Sequence, residues 1–139
     1  MSDPKTEYEF PTLTPYIVVK GADAAIEFYQ KAFGAEVIEV MRGEDGKVMN
    51  AQLKFGTSVL MLNDEYPEYG SFAPAKDAPL PFSIHIRSFA VDADFQKAID
   101  AGAIVAMPLE NQFWGDRFGM LTDPFGHKWS LGQPISELS

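Results

Sequence analysis

The sequence predicts an α+β fold made of two βαβββ modules. The order strand, helix, strand, strand, strand occurs twice along the 139 residues. The passage from helix to strand is alike in both copies, where Phe33-Gly34-Ala35-Glu36-Val37 matches Ala101-Gly102-Ala103-Ile104-Val105. A turn, Asp123-Pro124-Phe125-Gly126-His127, leads into the last strand. An internal repeat of this kind indicates a fold more strongly than any single propensity does.

The first module is expected at residues 13–63, after a polar tail at 1–12. Its predicted elements are a strand at 14–19, a helix at 22–33 and strands at 36–42, 48–55 and 58–62. Apolar residues of the helix recur at spacings of three and four, and Gly34 ends it. Alternation in the second of the later strands predicts that Val48, Asn50 and Gln52 share a face.

The second module is expected at residues 82–133, before a short tail at 134–139. Its predicted elements are a strand at 82–87, a helix at 91–101 and strands at 104–107, 116–122 and 128–132. Ser83, His85 and Arg87 alternate with isoleucines and therefore share one face of the first of these strands. Trp129 is expected in the core, because Leu131 shares its face.

A long connection at residues 64–81 separates the modules and is rich in proline. Structureless loops of this length are uncommon inside a compact domain, so it is interpreted either as a surface linker or as a flap over a site. As a flap, it would use Glu65, Tyr66, Glu68 and Tyr69 to close over a cationic guest through carboxylate and cation–π contacts. As a linker, these residues form a solvated acidic loop.

Composition excludes several classes of function. The chain has no cysteine, and therefore neither disulfides nor thiolate sites, which fits a cytoplasmic protein. No apolar stretch approaches the length of a membrane span, and the first residues do not resemble a signal peptide. The net charge of −9 disfavours nucleic acid and favours cationic ligands, or serves solubility alone. Phosphate-binding glycine loops and the nucleophile elbow of hydrolases are absent from the sequence.

Specific motifs resemble the vicinal oxygen chelate superfamily, which includes glyoxalases, bleomycin resistance proteins and extradiol dioxygenases. The resemblance covers roughly residues 13–133 and rests on the doubled βαβββ order, on Ile26-Glu27-Phe28-Tyr29 and on the Asp123–His127 turn. Lys47-Val48-Met49 and Gln112-Phe113-Trp114-Gly115-Asp116-Arg117-Phe118-Gly119 resemble its PhnB-like branch. Relatives in that branch commonly carry histidine where Asn50 stands here.

This resemblance implies that each module curls into a half-barrel of mixed strands, with its helix on the outer face and a cavity on the concave one. Polar side chains that converge on such a cavity suit a small-molecule site. The residues expected to bind the ligand are Asn50, Gln52, Ser83, Arg87, Trp114, Asp116, Arg117 and Ser130. Relatives usually dimerise, so a homodimer is expected.

Metal-dependent relatives place four ligands on the concave faces, at positions that correspond to Thr14, Met61, Ser83 and Ser130 here. None of the four is histidine or a carboxylate, and a thioether is a poor ligand for hard divalent cations. We therefore expect no tightly bound metal and no cofactor.

His85 is the expected catalytic residue, because imidazole transfers protons near neutral pH; otherwise it is a hydrogen-bonded histidine in a polar pocket. Asp116 and Arg117 either hold a ligand carboxylate or phosphate or fix the hairpin through an ion pair. Trp114 lines the cavity mouth or an interface, and His127 is expected to support its turn.

Two functions follow from these expectations. In the first, the protein binds a small, cationic molecule without turnover, as the drug-sequestering bleomycin resistance proteins do. In the second, it is a glyoxalase-like lyase or isomerase in which His85 acts as acid or base beside a weakly bound divalent metal.

Overall fold

The structure, a computed structural model, describes residues 11–138, so most of the expected N-terminal tail lies outside the described residues. Its helices and strands are β1 (Tyr16–Val19), α1 (Ala22–Phe33), β2 (Glu36–Arg42), β3 (Val48–Phe55), β4 (Ser58–Asp64), β5 (Ile84–Arg87), α2 (Val91–Ala101), β6 (Ile104–Asn111), β7 (Asp116–Thr122) and β8 (Lys128–Pro134). Short 3-10 turns follow β4 and β8, at Pro67–Tyr69 and Ile135–Glu137. Both helices have the bounds that apolar periodicity predicts.

The described chain divides into two compact units. Residues 11–30 and 34–73 form the first unit, and residues 31–33 and 74–138 form the second. Each unit holds one four-stranded sheet, in the order β1-β4-β3-β2 or β5-β8-β7-β6. The first strand of each unit pairs parallel with the last, and the other pairs are antiparallel. The sheets are mixed, curled and open, which confirms the predicted fold class.

In the first unit, α1 packs on the apolar face of its sheet. Tyr29 is fully buried, and its ring lies 6.2 Å from that of Phe55 at the end of β3. The predicted partition of β3 is wrong at its start, since Val48 is fully buried whereas Met49 is half exposed. Met41 pairs with Asn50 and Arg42 with Val48, so Met49 is an extra residue in β3 and turns the start of that strand by one residue.

In the second unit, α2 lies so close to β7 that only glycine fits at position 119. A Cβ there would lie 2.6 Å from a ring carbon of Phe95, a buried residue of α2. Leu121, Trp129 and Leu131 are buried on the same side of the sheet, as predicted for Trp129. The other face of the sheet is therefore open for polar groups.

The turn before β8 is organised by the buried carboxylate of Asp123. Its Oδ1 accepts hydrogen bonds from the backbone N–H groups of Phe125 (2.8 Å) and His127 (3.0 Å). Its Oδ2 accepts the indole N–H of Trp129 at 2.8 Å. Gly126 supplies the positive φ, 90°, that the turn requires. One carboxylate thus joins the turn to the core of the second unit. His127 takes part in the turn through its backbone N–H, and support of the turn by its imidazole stays a prediction.

The edge strands β2 and β6 each contain two register shifts against their neighbours. Both strands also expose large apolar side chains, which are Val37, Ile38, Met41, Ile104, Val105 and Met107. Pro108 lies within β6, in keeping with its edge position.

The connection between the units, residues 65–83, is more ordered than the sequence predicts, and β5 begins two residues later than expected. Strand β4 continues to Asp64, and Tyr66 pairs with Ser71 in an isolated bridge around the first 3-10 turn. Strand β8 likewise continues to Pro134, and the second 3-10 turn follows it directly. Within residues 11–138, neither helix has the length and hydropathy needed to cross a bilayer.

Candidate functional site

His85 lies on the exposed face of the second sheet, where it contacts Ser130. The parallel register pairs His85 with Ser130 across β5 and β8, so the two side chains project from the same side. His85 Nδ1 lies 2.8 Å from Ser130 Oγ, and Ser130 is buried. A short contact to a buried hydroxyl restricts the orientation of an otherwise exposed imidazole.

An aromatic ring and a glycine complete the support of His85. The imidazole stacks on the ring of Phe118, with centroids 5.8 Å apart and planes 16° apart. Gly132 lies beside it on β8, where a Cβ would lie 3.0 Å from His85 Cε1. The missing side chain at Gly132 therefore lets the imidazole lie close to the sheet.

The ring of Phe118 also belongs to an aromatic corner, which is formed by Phe113, Trp114 and Phe118. Trp114 packs edge-on against both phenylalanine rings, at 5.2 and 5.6 Å. Phe113 is 97% exposed and Trp114 is 49% exposed. The indole N–H donates to Asp116 Oδ2 at 3.1 Å, which places a carboxylate at the edge of the indole. An exposed aromatic surface with a nearby carboxylate suits a cationic group.

Arg87 occupies the other end of the same face, two residues beyond His85 on β5. Its guanidinium donates to the carboxylate of Glu137, a residue of the 3-10 turn after β8, and to the carbonyl oxygen of Ser88 (2.8 Å). It also lies over the ring of Phe89, 4.0 Å from the centroid. The hydrogen bond from Arg87 lowers the pKa of the Glu137 carboxyl below its ordinary value.

Arg117 lies on the opposite face of this sheet. Its guanidinium makes a bidentate contact with Asp92 in the first turn of α2, with hydrogen bonds of 2.9 to 3.1 Å. It also donates to Asn111 Oδ1 at 3.1 Å. Of the two roles considered for Arg117, the structure thus displays an ion pair, but the acidic partner is Asp92 rather than Asp116. Arg117 does not join the group around His85.

The expected binding residues of the first unit form a separate polar patch on its own sheet. Asn50 Nδ2 donates to Tyr16 Oη at 3.0 Å, and Gln52 Nε2 approaches Asn50 Oδ1 at 3.5 Å. Sequence reasoning did not include Tyr16 in the site. The available signal was its position on the first strand, where the parallel register pairs it with Met61, itself opposite Gln52.

The cationic-guest contacts considered for the connecting loop are occupied by groups of the chain itself. The Lys47 ammonium lies 4.3 Å from the centroid of the Tyr66 ring. The carboxylate of Glu65 accepts the backbone N–H of Ala73 at 2.9 Å. Burial is the main cause that raises the pKa of the Tyr66 phenol. The rings of Tyr66 and Tyr69 lie 6.4 Å apart, so three of the four loop residues have internal partners in the structure.

The positions of the usual metal ligands do not fit a divalent cation. Met61 offers a thioether, and the hydroxyl of Ser130 is engaged by His85. Ser83 lies just before β5, outside the sheet. Within residues 11–138, His, Asp and Glu side chains form no group of three that could hold a metal ion.

Two βαβββ units, each with one helix on an open mixed sheet, define the glyoxalase-like class of fold. The model of the Glyoxalase/Bleomycin resistance protein/Dioxygenase superfamily matches residues 11–131. The chain belongs to this superfamily.

Three similar proteins illustrate its range. An uncharacterized protein of Mycobacterium bovis is 46% identical over 132 residues, which cover 93% of this chain and 87% of that protein. The PhnB protein from Bacillus cereus is 22% identical with a TM-score of 0.68, covering 88% and 99% of the two chains. The fosfomycin resistance protein FosX from Listeria monocytogenes, solved with Mn(II) and sulfate, is 14% identical with a TM-score of 0.68, covering 91% and 95%. At these identities the two solved structures support the fold alone.

Proposed function

We propose that this protein binds a small organic molecule on the exposed face of the second sheet, without a tightly bound metal. The observation that carries the proposal is the fixed imidazole of His85, held by Ser130 and Phe118 between the aromatic corner and Arg87. Such convergence of polar groups beside exposed aromatic rings suits ligand binding. The motif that includes Trp114 and Asp116 favours the PhnB-like branch of the superfamily.

The aromatic corner favours a cationic ligand. The indole face of Trp114 attracts a cation through its quadrupole, and the Asp116 carboxylate at 3.1 Å from the indole nitrogen adds a negative charge. The net charge of −9 draws cations toward the protein as a whole.

A homodimer located in the cytoplasm is part of this proposal. The apolar side chains that β2 and β6 expose at the sheet edges would be covered by a second copy. Light scattering at micromolar concentration tests the assembly, and a monomeric mass would contradict it.

The cation site is tested with benzyltrimethylammonium as probe. The chain has two tryptophans, and Trp129 is buried, so ligand-induced changes in fluorescence report mainly on Trp114. Saturable binding by calorimetry is expected for the wild type, with about a tenfold loss in Asp116→Asn. Asp100→Asn removes the same charge from the surface of α2 and is the matched control. Equal affinity of both variants, or no saturable binding at all, would reject the cation site.

A second candidate is a glyoxalase-like enzyme in which His85 acts as acid or base beside a weakly held divalent ion. The 2.8 Å contact of Nδ1 with Ser130 Oγ favours this role, because it orients the ring and leaves Nε2 to meet a substrate. Metal analysis of protein purified without added ions separates the candidates. A stoichiometric divalent metal that is lost in His85→Ala would favour the enzyme, and its absence in both proteins favours the binding protein.

A further inference from the structure

Arg87 and His85 present a cation and an imidazole on one open face of the second sheet. The register of β5 and β8 pairs His85 with Ser130 and Arg87 with Gly132, so both side chains project to the same side. Both residues are exposed. Strand geometry places their backbones about 7 Å apart.

Gly132 lies between Arg87 and Phe118 in the sheet. Arg87 pairs with Gly132, and Gly132 pairs with Phe118 on the next strand, so the three residues form one row across the sheet. Adjacent strands lie about 4.8 Å apart, which places Arg87 and Phe118 about 10 Å apart along this row. The place that a side chain at Gly132 would take is filled by the His85 imidazole, whose Cε1 would lie 3.0 Å from such a Cβ. A flat group held by the guanidinium therefore lies against the exposed imidazole, which itself stacks on Phe118.

The chain's own C-terminal turn places a carboxylate at this point. Glu137 pairs with Arg87, although their side chains remain 38% and 42% exposed. The 3-10 turn that carries Glu137 has no buried residue. Its described backbone anchors are the hydrogen bonds from Ile135 N–H to Gly115 O (2.9 Å) and from Leu138 N–H to Ile135 O (3.0 Å). An exposed ion pair on a short turn is weak and exchanges readily.

We propose that Arg87 forms a carboxylate-binding subsite, which Glu137 fills in the free protein and a ligand carboxylate displaces. The favoured ligand is an aromatic carboxylate, whose ring lies beside Phe118 and His85 and whose carboxylate pairs with the guanidinium. Arginine matches a carboxylate through two parallel hydrogen bonds. This subsite goes beyond the cation site at Trp114 and does not depend on it.

In the opposing interpretation, the ion pair of Glu137 only fixes the C-terminal turn of the chain. The two interpretations differ in the effect of removing the negative charge at position 137. If the Glu137 carboxylate competes with the ligand for Arg87, Glu137→Gln strengthens binding of a carboxylate. If the ion pair of Glu137 supports the site, the same substitution leaves the binding of a carboxylate unchanged or weaker.

Benzoate is the probe, titrated by calorimetry against the full chain. Glu137→Gln is expected to bind benzoate about fivefold more tightly than the wild type, the factor that an exposed ion pair accounts for. Arg87→Gln removes the gain when combined with Glu137→Gln. Glu44→Gln lowers the charge equally on the exposed β2–β3 hairpin and is expected to match the wild type. Benzyl alcohol, which lacks the carboxylate, is expected to distinguish none of these proteins.

Three results would overturn the subsite. They are benzoate affinity in Glu137→Gln no greater than in the wild type, a gain in affinity that persists when Arg87→Gln is combined with Glu137→Gln, and absence of binding in all four proteins. Circular dichroism of each variant confirms that the chain remains folded. Benzyltrimethylammonium is titrated against the same variants to separate the two proposals. If the wild type does not bind this cation, only the cation site is rejected, because benzoate binding depends on Arg87 and not on Asp116.

Discussion

The two units anchor their helices in the same way but present different surfaces. In the first unit the backbone N–H of Ala22 donates to Asp64 Oδ1 at 2.7 Å, and in the second the N–H of Val91 donates to Gln133 Oε1 at 3.0 Å. Asp64 and Gln133 both lie near the end of the last strand of their unit. The repeated structure thus retains a side-chain acceptor for the first turn of the helix, although the chemical group differs.

The exposed faces of the two sheets do not retain similar side chains. The first carries Tyr16, Asn50 and Gln52, whereas the second carries His85 and Arg87 beside an aromatic corner. Residues that touch the helix are constrained by packing, since a single methyl at Gly119 would meet Phe95. Residues on the open face lack that constraint. The backbone of the repeat and its chemistry are therefore set by opposite sides of each sheet.

The largest expected effect concerns the turn that only the second unit has. Asp123→Ala leaves the N–H groups of His127 and Trp129 without their acceptor in a buried environment. The free energy of unfolding is expected to fall by about 3 kcal/mol. Urea denaturation measures the loss, and hydrogen exchange is expected to localise it to β7 and β8.

Asp45 provides the matched substitution in the first unit. Its Oδ1 accepts one backbone N–H, from Lys47 at 3.0 Å, on an exposed hairpin. Asp45→Ala is expected to cost about 0.5 kcal/mol. Equal losses from the two alanine substitutions would show that burial of the Asp123 network does not decide its contribution.

The next effect tests the two helix anchors against each other. Asp64 accepts a second backbone N–H, from Val48 at 2.7 Å, in addition to that of Ala22. Hydrogen bonds to a carboxylate are stronger than those to an amide oxygen. Asp64→Ala is therefore expected to cost about 2.5 kcal/mol, and Gln133→Ala about 1.5 kcal/mol. Chemical denaturation of both variants checks the order, and a greater loss from Gln133→Ala would contradict it.

The smallest effect is a pH dependence with a contribution from each unit. The hydrogen bond from Arg42 lowers the pKa of Asp23, as the one from Arg87 lowers the pKa of Glu137. A carboxyl with a lowered pKa in the folded state stabilises the fold above its ordinary pKa, about 4. That contribution is lost as the pH falls through the lowered value.

Asp23→Asn and Glu137→Gln should each lose less stability than the wild type when urea denaturation is compared at pH 6 and pH 3. The two pairs lie in different units, so the double variant is expected to show the sum of both effects. An unchanged acid response in Glu137→Gln would mean that its ion pair with Arg87 contributes nothing in solution.

Much of the fold was predictable because its signals are local. Both helices end at a glycine with positive φ, Gly34 at 69° and Gly102 at 127°. Apolar spacing and glycine position are readable from a few neighbouring residues. The side to which Val48 points was not, because the extra residue Met49 is defined only by the pairing of β3 with β2, a strand that local alternation does not describe.

The candidate site was predictable in part. Alternation placed His85 and Arg87 on one face, which the register of β5 and β8 confirms. The contact of His85 with Ser130 requires a parallel pairing between strands 45 residues apart, which no local pattern encodes. The face of Arg117 and the role of Glu137 were missed for the same reason, since their partners are distant in sequence.

The paired register shifts in β2 and β6 bear on how this protein behaves at high concentration. An edge strand with exposed apolar side chains is ordinarily a template on which further chains stack into fibrils. Extra residues, one in β2 and two in β6, bend the row of free backbone groups of each strand, so a straight incoming strand matches only a short part of it. Both edge strands can thus expose apolar side chains to a specific binding partner while resisting open-ended polymerisation.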